Sequence, residues 1–149
     1  MPGIVMNAIG RSVSVATTQR WRKQMYEYKL IKDRIRVIDG DTIDCEEAID
    51  LGFDISYSTK VRFVGINTPE SRGRPPRVSA EEKRLGLAAK ARLIELIEAA
   101  EEVVLQSQGV DKFGRCLGVI RADGVDVNKL LVEEGHARWY DGGKRKPWI

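Results

Sequence analysis

Three observations predict an α+β domain: a five-stranded OB-fold barrel with a capping helix between strands 3 and 4 and a short C-terminal helix. Short β-branched segments recur along the chain between glycines, aspartates and prolines, which is typical of strands joined by tight turns. One long amphipathic segment follows the third of them. Three strands, a helix, two strands and a final short helix is the order of elements in the OB-fold.

The first three strands are predicted at residues 28–38, 42–45 and 60–66, where β-branched residues are concentrated. Gly40 lies between two aspartates and marks the turn that joins the first two strands. The polar segment 46–59 separates the second strand from the third, and we expect it to be a long hairpin connection.

The predicted helix follows a cationic loop. Residues 70–78 contain three arginines, two prolines and a glycine, so we expect this loop to be exposed. Ser79 and Glu82 have the spacing of a capping box, and apolar residues continue at helical spacing as far as Ile97. Gly86 lowers the helix propensity of the segment, which indicates a close contact with another part of the chain.

The last two strands are predicted at residues 103–106 and 116–121, with a turn at 111–115 between them. The Ala-Asp-Gly sequence at 122–124 is a hairpin signal. Asp126 is expected to cap a short helix that ends at Gly135.

Composition limits the class of protein. The 149 residues are 42% hydrophobic and 32% charged, which suits one folded domain with its own core. No apolar segment approaches the ~20 residues of a membrane-spanning helix, and the N-terminal residues lack a signal-peptide pattern. We therefore expect an intracellular protein with no membrane partner. Cys45 and Cys116 lack zinc-site spacing and are expected to be structural thiols.

Positive charge is concentrated at the two ends of the chain. Residues 1–36 contain eight lysines and arginines against two acidic residues, and residues 144–146 form a second basic run. We therefore divide the chain into a basic arm (1–27), a folded domain (28–143) and a basic tail (144–149). Aromatic and methionine residues near helical spacing indicate either a short helix around residues 19–28 or a segment that docks on a partner. The charge alone fits a polyanionic partner and a solvated flexible arm equally well.

Two predicted turns carry oxygen-rich residues. Asp41 ends the first turn, whereas Asn67, Thr68 and Glu70 lie in the second, and Arg62 is on the strand that leads into it. Carboxylate, amide and carbonyl oxygens suit a hard divalent cation such as calcium or magnesium. A guanidinium group binds phosphate bidentately and stays charged. If the fold brings the two turns together, the pattern predicts a site for a cation and a phosphate.

Such a site has the parts needed to cleave a phosphodiester bond, which requires a positioned water and neutralisation of the charge that develops on the phosphate. Glu70, in a loop stiffened by the preceding proline, is a candidate for orienting the water. Arg62 and Arg115 are candidates for holding the phosphate from two sides. Taken singly each residue is a weak indication, because aspartate-glycine turns and strand arginines are common.

Four sequence blocks together are more specific. These are VIDGDT (37–42), VRFVGINTPE (61–70), DKFGR (111–115) and ADGVDVNKLLVEEGHA (122–137). In this order and spacing they resemble the staphylococcal nuclease (thermonuclease) family over roughly residues 37–140. A Gly-Phe hairpin, the arginine-rich loop and a YDGGK sequence near the C-terminus resemble the small bacterial and bacteriophage members in particular.

The resemblance implies an OB-fold, calcium-dependent endonuclease, a phosphodiesterase that hydrolyses DNA and RNA and leaves 3′-phosphates. It implies that Asp41 and the Thr68 carbonyl bind the metal. Glu70 matches the family glutamate that serves as general base or orients the water. Arg62 and Arg115 match the two arginines that bind the phosphate.

The chain departs from the family pattern at several positions. Asn67 stands where a second metal-binding aspartate is usual, so a ligand oxygen is kept but a negative charge is lost. Phe113 replaces a tyrosine in the third block and keeps only its ring for stacking. With Lys112 and Tyr140 it forms the expected substrate-binding group. Magnesium or another divalent cation is the alternative cofactor to calcium.

Two further hypotheses remain open. One is a non-catalytic OB-fold module that binds nucleic acid or docks on a protein, which the asparagine favours. The other adds a role to the nuclease: the basic arm would tether it to a larger, phage-like assembly, placing it in the host cytoplasm or the virion if it is phage-encoded.

Overall fold

The computed structural model describes residues 4–6, 12–14 and 25–148. In chain order the elements are β1 (Ile4–Met6), β2 (Ser12–Ser14), β3 (Tyr26–Leu30), β4 (Ile35–Asp39), β5 (Thr42–Gly52), β6 (Ile55–Phe63), β7 (Ile66–Asn67), α1 (Ala80–Ala99), β8 (Val103–Val110), β9 (Cys116–Ala122), β10 (Val125–Asp126), α2 (Val127–Glu133) and β11 (Arg138–Trp139). None of the helices in these residues is long and apolar enough to cross a membrane.

Five strands close into a barrel. β3 pairs with β5, β5 with β6, β6 with β9, β9 with β8, and β8 returns to β3. The β6–β9 pairing is parallel and the other four are antiparallel. β4 follows β3 after a short 3₁₀ turn and extends the pairing along β5. The closed barrel with two helices confirms the predicted α+β OB-fold.

The barrel encloses a core of aliphatic side chains around Phe63, which is almost fully buried. α1 contributes Leu93 and Ile97 to this core, and α2 contributes Val127 and Leu131. Each fully buried side chain of this size stabilises the fold by about 1.5–3 kcal/mol relative to exposure. The two helices are therefore held to the barrel by their apolar faces, which fixes the loops that precede each of them.

The expected helix around residues 19–28 is wrong at its C-terminal end, which is a strand. Residues 19–24 lie outside the described residues, but β3 begins at Tyr26 and pairs there with Ser107 of β8. The rings of Tyr26 and Tyr28 are stacked with centroids 6.5 Å apart. Side chains two residues apart share one face of a strand, so this aromatic spacing belongs to a strand and not to a helix.

The strand expected at 28–38 is interrupted by the 3₁₀ turn at Lys32–Arg34. The long connection expected at 46–59 is also wrong, because β5 and β6 continue through it as a ribbon. Phe53 and Asp54 form its tight turn, with φ of 56° and 60°. Leu51, Phe53, Ile55 and Tyr57 alternate with glycine and polar residues, which is a strand pattern that the prediction missed. All four of these side chains are exposed.

Both helix caps were predicted correctly. The Ser79 hydroxyl accepts a hydrogen bond from the Glu82 backbone N–H at 3.0 Å, and the Asp126 carboxylate accepts one from Lys129 N–H at 3.0 Å. Cys45 and Cys116 are free thiols, and burial raises the pKa of Cys45 to about 12.

Candidate active site

Asp41 is a buried carboxylate, 7% exposed, at the end of the turn between β4 and β5. Its Oδ1 accepts a hydrogen bond from the Thr42 hydroxyl, and its Oδ2 accepts one from the Thr68 backbone N–H, both at 3.0 Å. A Cβ at Gly40 would lie 2.8 Å from the Ala89 Cβ, so only glycine lets this turn pack against α1. Asp41 thus ties the first predicted turn directly to the second.

Arg62 lies beside Asp41 and is also buried. Its Nη1 is 3.3 Å from Asp41 Oδ2. The guanidinium also donates to the backbone carbonyls of Phe63 and Ile66, each at 2.9 Å. Burial lowers the pKa of Arg62, and the Asp41 carboxylate opposes that shift. These bonds hold the guanidinium in one orientation, which favours bidentate binding of a phosphate.

Glu70 lies at the edge of the same site and is half-exposed. Its Oε1 accepts a hydrogen bond from Arg145 Nη1 at 3.2 Å. Its backbone N–H donates to Glu82 Oε2 at 3.2 Å, so the capping-box glutamate bonds to the active-site loop. Burial raises the pKa of Glu70, Asp39 raises it further, and Arg145 opposes the shift. A raised carboxyl pKa brings the group closer to neutral pH, where a general base works best.

Asn67 and Thr68 differ in where their side chains lie. Asn67 is 6% exposed and pairs with Arg138 across β7 and β11. Its side-chain amide forms no hydrogen bond within the part of the chain that the structure describes. The Thr68 side chain packs towards Gly40, and its buried hydroxyl has no partner among the described residues. The Asn67 side-chain oxygen is thus without a hydrogen-bonding partner among the described residues, as is the Thr68 hydroxyl.

Arg115 is positioned by the turn between β8 and β9. Its Nε donates to Asp111 Oδ2 at 2.7 Å, and Asp111 Oδ1 accepts the backbone N–H groups of Phe113 and Arg115, both at 2.9 Å. The Phe113 ring is 71% exposed. Lys112 Nζ and the Arg115 guanidinium carbon lie 5.2 Å and 5.4 Å from the centroid of this ring. The turn therefore presents two cations and a ring to solvent.

Two neighbouring clefts open at this site. The first, of about 610 Å³, brings together five of the predicted residues: Arg62, Lys112, Phe113, Arg115 and Tyr140. The second, of about 470 Å³, is lined by Asn67 and by residues of β11 and the C-terminal segment. Arg145 and Tyr140 line both. Six of the nine predicted residues line these clefts, with Asn67 in a different cleft from Arg115. Asp41, Thr68 and Glu70 line neither cleft and are connected to them through Arg62 and Arg145.

The proposed metal ligands are all oxygen atoms, which suit a hard divalent cation, but together they carry only one negative charge. Asp41 is the one carboxylate among the three proposed ligands, with the Asn67 amide and the Thr68 carbonyl as neutral partners. In the described residues no group of three or more His, Cys, Asp or Glu side chains is placed to hold a metal. Calcium affinity depends on the number of charged ligands, so this set would hold a cation weakly.

Sequence reasoning missed two residues that contact Glu70. Glu82 was assigned only to the helix cap. Arg145 was counted only as part of a basic run, and the 75 positions between it and Glu70 leave no local pattern that could have linked them. The basic composition of residues 144–146 beside a predicted anion site was the one available signal.

Replacing Gly86 by alanine is expected to disturb Glu70. A Cβ at Gly86 would lie 2.3 Å from the Glu70 carbonyl oxygen, so the loop must shift. We expect a loss of about 1–3 kcal/mol in the free energy of unfolding, as for other overpacked sites, together with lower activity. Leu87→Ala, at an exposed position of the same helix, is the control. Urea unfolding that places both variants near the wild type would contradict the close contact.

Comparison with known proteins gives the following matches. A family model described as staphylococcal nuclease homologue matches residues 60–147. Endonuclease YhcR of Bacillus subtilis is 36% identical over 119 residues, 76% of this chain and 9% of YhcR. Micrococcal nuclease of Shigella flexneri is 30% identical over 115 residues, 71% of this chain and 56% of that protein. Succinoglycan biosynthesis protein ExoI of Rhizobium meliloti is 30% identical over 106 residues, 68% of this chain and 48% of ExoI. The chain thus spans about half the length of two of these relatives and a small part of YhcR.

Proposed function

The chain belongs to the staphylococcal nuclease family, and from that premise we propose that it is an endonuclease that hydrolyses phosphodiester bonds of nucleic acids. The observation that carries the proposal is the joining of the two turns at Asp41, whose carboxylate contacts both Arg62 and the Thr68 backbone. Glu70 follows two residues after Thr68 and contacts Arg145, which lines both clefts.

In this proposal Glu70 orients and deprotonates the attacking water. The group is partly desolvated, and burial raises its pKa, which strengthens it as a base. Its backbone N–H is held by Glu82, which fixes the point from which the side chain extends. In-line attack then places the water opposite the leaving oxygen.

Arg62 and Arg115 bind the phosphate and stabilise the charge that develops on it. Both guanidinium groups are held by carboxylates, Arg62 by Asp41 and Arg115 by Asp111. Donors that are already oriented need no rearrangement during the reaction, which is the main source of electrostatic catalysis. Lys112, Phe113 and Tyr140 line the same cleft and are proposed to bind the flanking part of the strand.

Asp41, the Thr68 carbonyl and Asn67 are the residues that would hold a divalent cation, calcium in the first instance and magnesium as the alternative. When bound, the cation would neutralise negative charge on the phosphate oxygens. The Asp41 carboxylate accepts hydrogen bonds from Thr42 and Thr68 and is paired with Arg62, so its oxygens are held where the two turns meet.

Replacing Asn67 by aspartate is expected to tighten metal binding. The side chain is buried and forms no hydrogen bond in the described residues, so a carboxylate there would be free to bind the cation. We expect the calcium concentration for half-maximal cleavage to fall by about tenfold or more, because affinity rises with ligand charge. Asn128→Asp is not a suitable control, since Asn128 is hydrogen-bonded in the core. Glu101→Gln, a charge change at an exposed site, serves instead.

The proposal is tested by incubating the purified chain with plasmid DNA and with RNA in calcium, in magnesium and in chelator. Degradation that requires a divalent cation is the expected result. A folded protein that degrades neither substrate under any of these conditions would contradict it.

A non-catalytic nucleic-acid-binding or protein-docking module is the second candidate. The observation that favours it is the low ligand charge around Asp41, with no third acidic group placed there in the described residues. Binding of an oligonucleotide without cleavage, unchanged in Asn67→Asp, is the result this candidate predicts.

We propose separately that the basic N-terminal arm docks the nuclease on a phage-like assembly, in the host cytoplasm or in the virion. Most of residues 1–27 lie outside the described residues. Because β3 begins at Tyr26, a deletion that spares the barrel must stop at residue 24. Loss of assembly with cleavage retained is expected, and unchanged assembly would refute the proposal.

A further inference from the structure

The C-terminal strap, residues 141–148, is anchored at both of its ends. At its start the Tyr140 N–H donates to the Gly65 carbonyl at 2.7 Å, and the Tyr140 hydroxyl donates to the Gly143 carbonyl. At its end Arg138 donates to the Pro147 carbonyl at 3.0 Å, and the Arg138 guanidinium lies 3.9 Å from the centroid of the Trp148 ring. The basic residues 144–146 lie between these anchors.

These anchors place Arg145 at the active site. Its Nη1 donates to Glu70 Oε1 at 3.2 Å, and its guanidinium carbon lies 5.9 Å from the centroid of the Tyr140 ring. Arg145 is the cationic residue that the two clefts share, beside Asp141. It therefore lies where a strand passing from one cleft to the other would carry a phosphate.

The surroundings of Arg145 favour an anion. Arg62, Arg115 and Arg145 all line the first cleft, so three like charges lie close together and repel one another. The second cleft adds Arg138, Lys144 and Lys146 against the single carboxylate of Asp141. A bound phosphate would relieve this repulsion. The ion pair between Arg145 and Glu70 is exposed and contributes little, so a phosphate can replace Glu70 as the partner of Arg145.

We propose that Arg145 is a third phosphate-binding arginine, carried to the site by the C-terminal strap and held by Glu70 until a nucleic-acid strand binds. The inference rests on the proposed function for its substrate class. On binding, the guanidinium passes from Glu70 to a phosphate of the strand at the junction of the two clefts. The Glu70 carboxylate is then released to act on water.

The test measures binding of a fluorescent single-stranded oligonucleotide in chelator, where no cleavage occurs, over a series of salt concentrations. Arg145→Gln is expected to bind about tenfold more weakly and to lower the salt slope by about 0.7, the value for one phosphate contact on a single strand. Arg36→Gln is the matched control, because Arg36 is an exposed arginine paired with a carboxylate away from both clefts. Arg145→Lys should recover part of the affinity.

Cleavage in the presence of calcium provides the second readout. Arg145→Gln is expected to raise KM about tenfold without raising kcat. Faster cleavage by the variant would show an inhibitory contact and overturn the proposal, as would unchanged affinity and salt slope, or no binding by the wild-type chain. If the wild type binds but does not cleave, and Arg145→Gln still lowers the salt slope, the phosphate contact stands although the nuclease proposal fails.

Discussion

Replacing Glu70 by glutamine is expected to lower kcat/KM for DNA cleavage by about 10²–10⁴-fold, the usual contribution of a general base. Glutamine keeps the size of the side chain and can still contact Arg145, but it cannot take a proton from water. Initial rates on a labelled oligonucleotide in calcium, together with its affinity in chelator, are the measurements. The affinity should change little because the substrate phosphates are held by arginines.

Glu81→Gln is the matched control for this variant. Glu81 is an exposed glutamate in the first turn of α1, close in sequence to Glu82 but paired with Arg84 rather than with the loop. Its replacement should leave the rate within about twofold, since an exposed pair contributes little. If Glu70→Gln cleaved as fast as Glu81→Gln, Glu70 would have no role as a base.

Replacing Arg62 by methionine is expected to lower the free energy of unfolding by about 3–5 kcal/mol, the cost of leaving a buried charge without its partner. The buried Asp41 carboxylate would lose the guanidinium group that pairs with it, and the carbonyls of Phe63 and Ile66 would lose a hydrogen-bond donor. Activity should fall as well, so the stability measurement is needed to separate the two effects. Urea unfolding followed by circular dichroism gives it.

Arg36→Met is the control for the loss of an ion pair. The Arg36 side chain is 73% exposed and pairs with Asp44 at 2.9 Å, and exposed pairs contribute about 0–1 kcal/mol. Asp41→Asn added to Arg62→Met should recover part of the lost stability, because no buried charge then remains. Equal losses in Arg62→Met and Arg36→Met would contradict the buried pair.

Local signals in the sequence predicted local features of the fold. The Ser79 and Asp126 caps each need only a side chain and a backbone N–H three residues away. Gly86 marked the close approach of the Glu70 loop, because glycine inside a helix otherwise costs stability. The polar turns at Asp41 and Thr68 lie together as expected.

Features that depend on distant contacts were not predictable. Residues 50–60 of the β5–β6 ribbon are largely exposed, so the alternating apolar residues there face no core, and the tight turn uses Phe53 and Asp54 rather than a glycine pair. The contact of Arg145 with Glu70 depends on how the strap packs on β11 through Arg138. No spacing in the sequence encodes that packing.

The central claim is that the site formed by Asp41, Arg62 and Glu70 hydrolyses phosphodiester bonds with a divalent cation. The most direct measurement is cleavage of a 5′-labelled oligonucleotide by the wild-type chain and by Glu70→Gln, each in calcium and in chelator. The account predicts products ending in 3′-phosphates from the wild type in calcium alone. Cleavage that persists in chelator, equal cleavage by Glu70→Gln, or no cleavage by the folded wild type would contradict it.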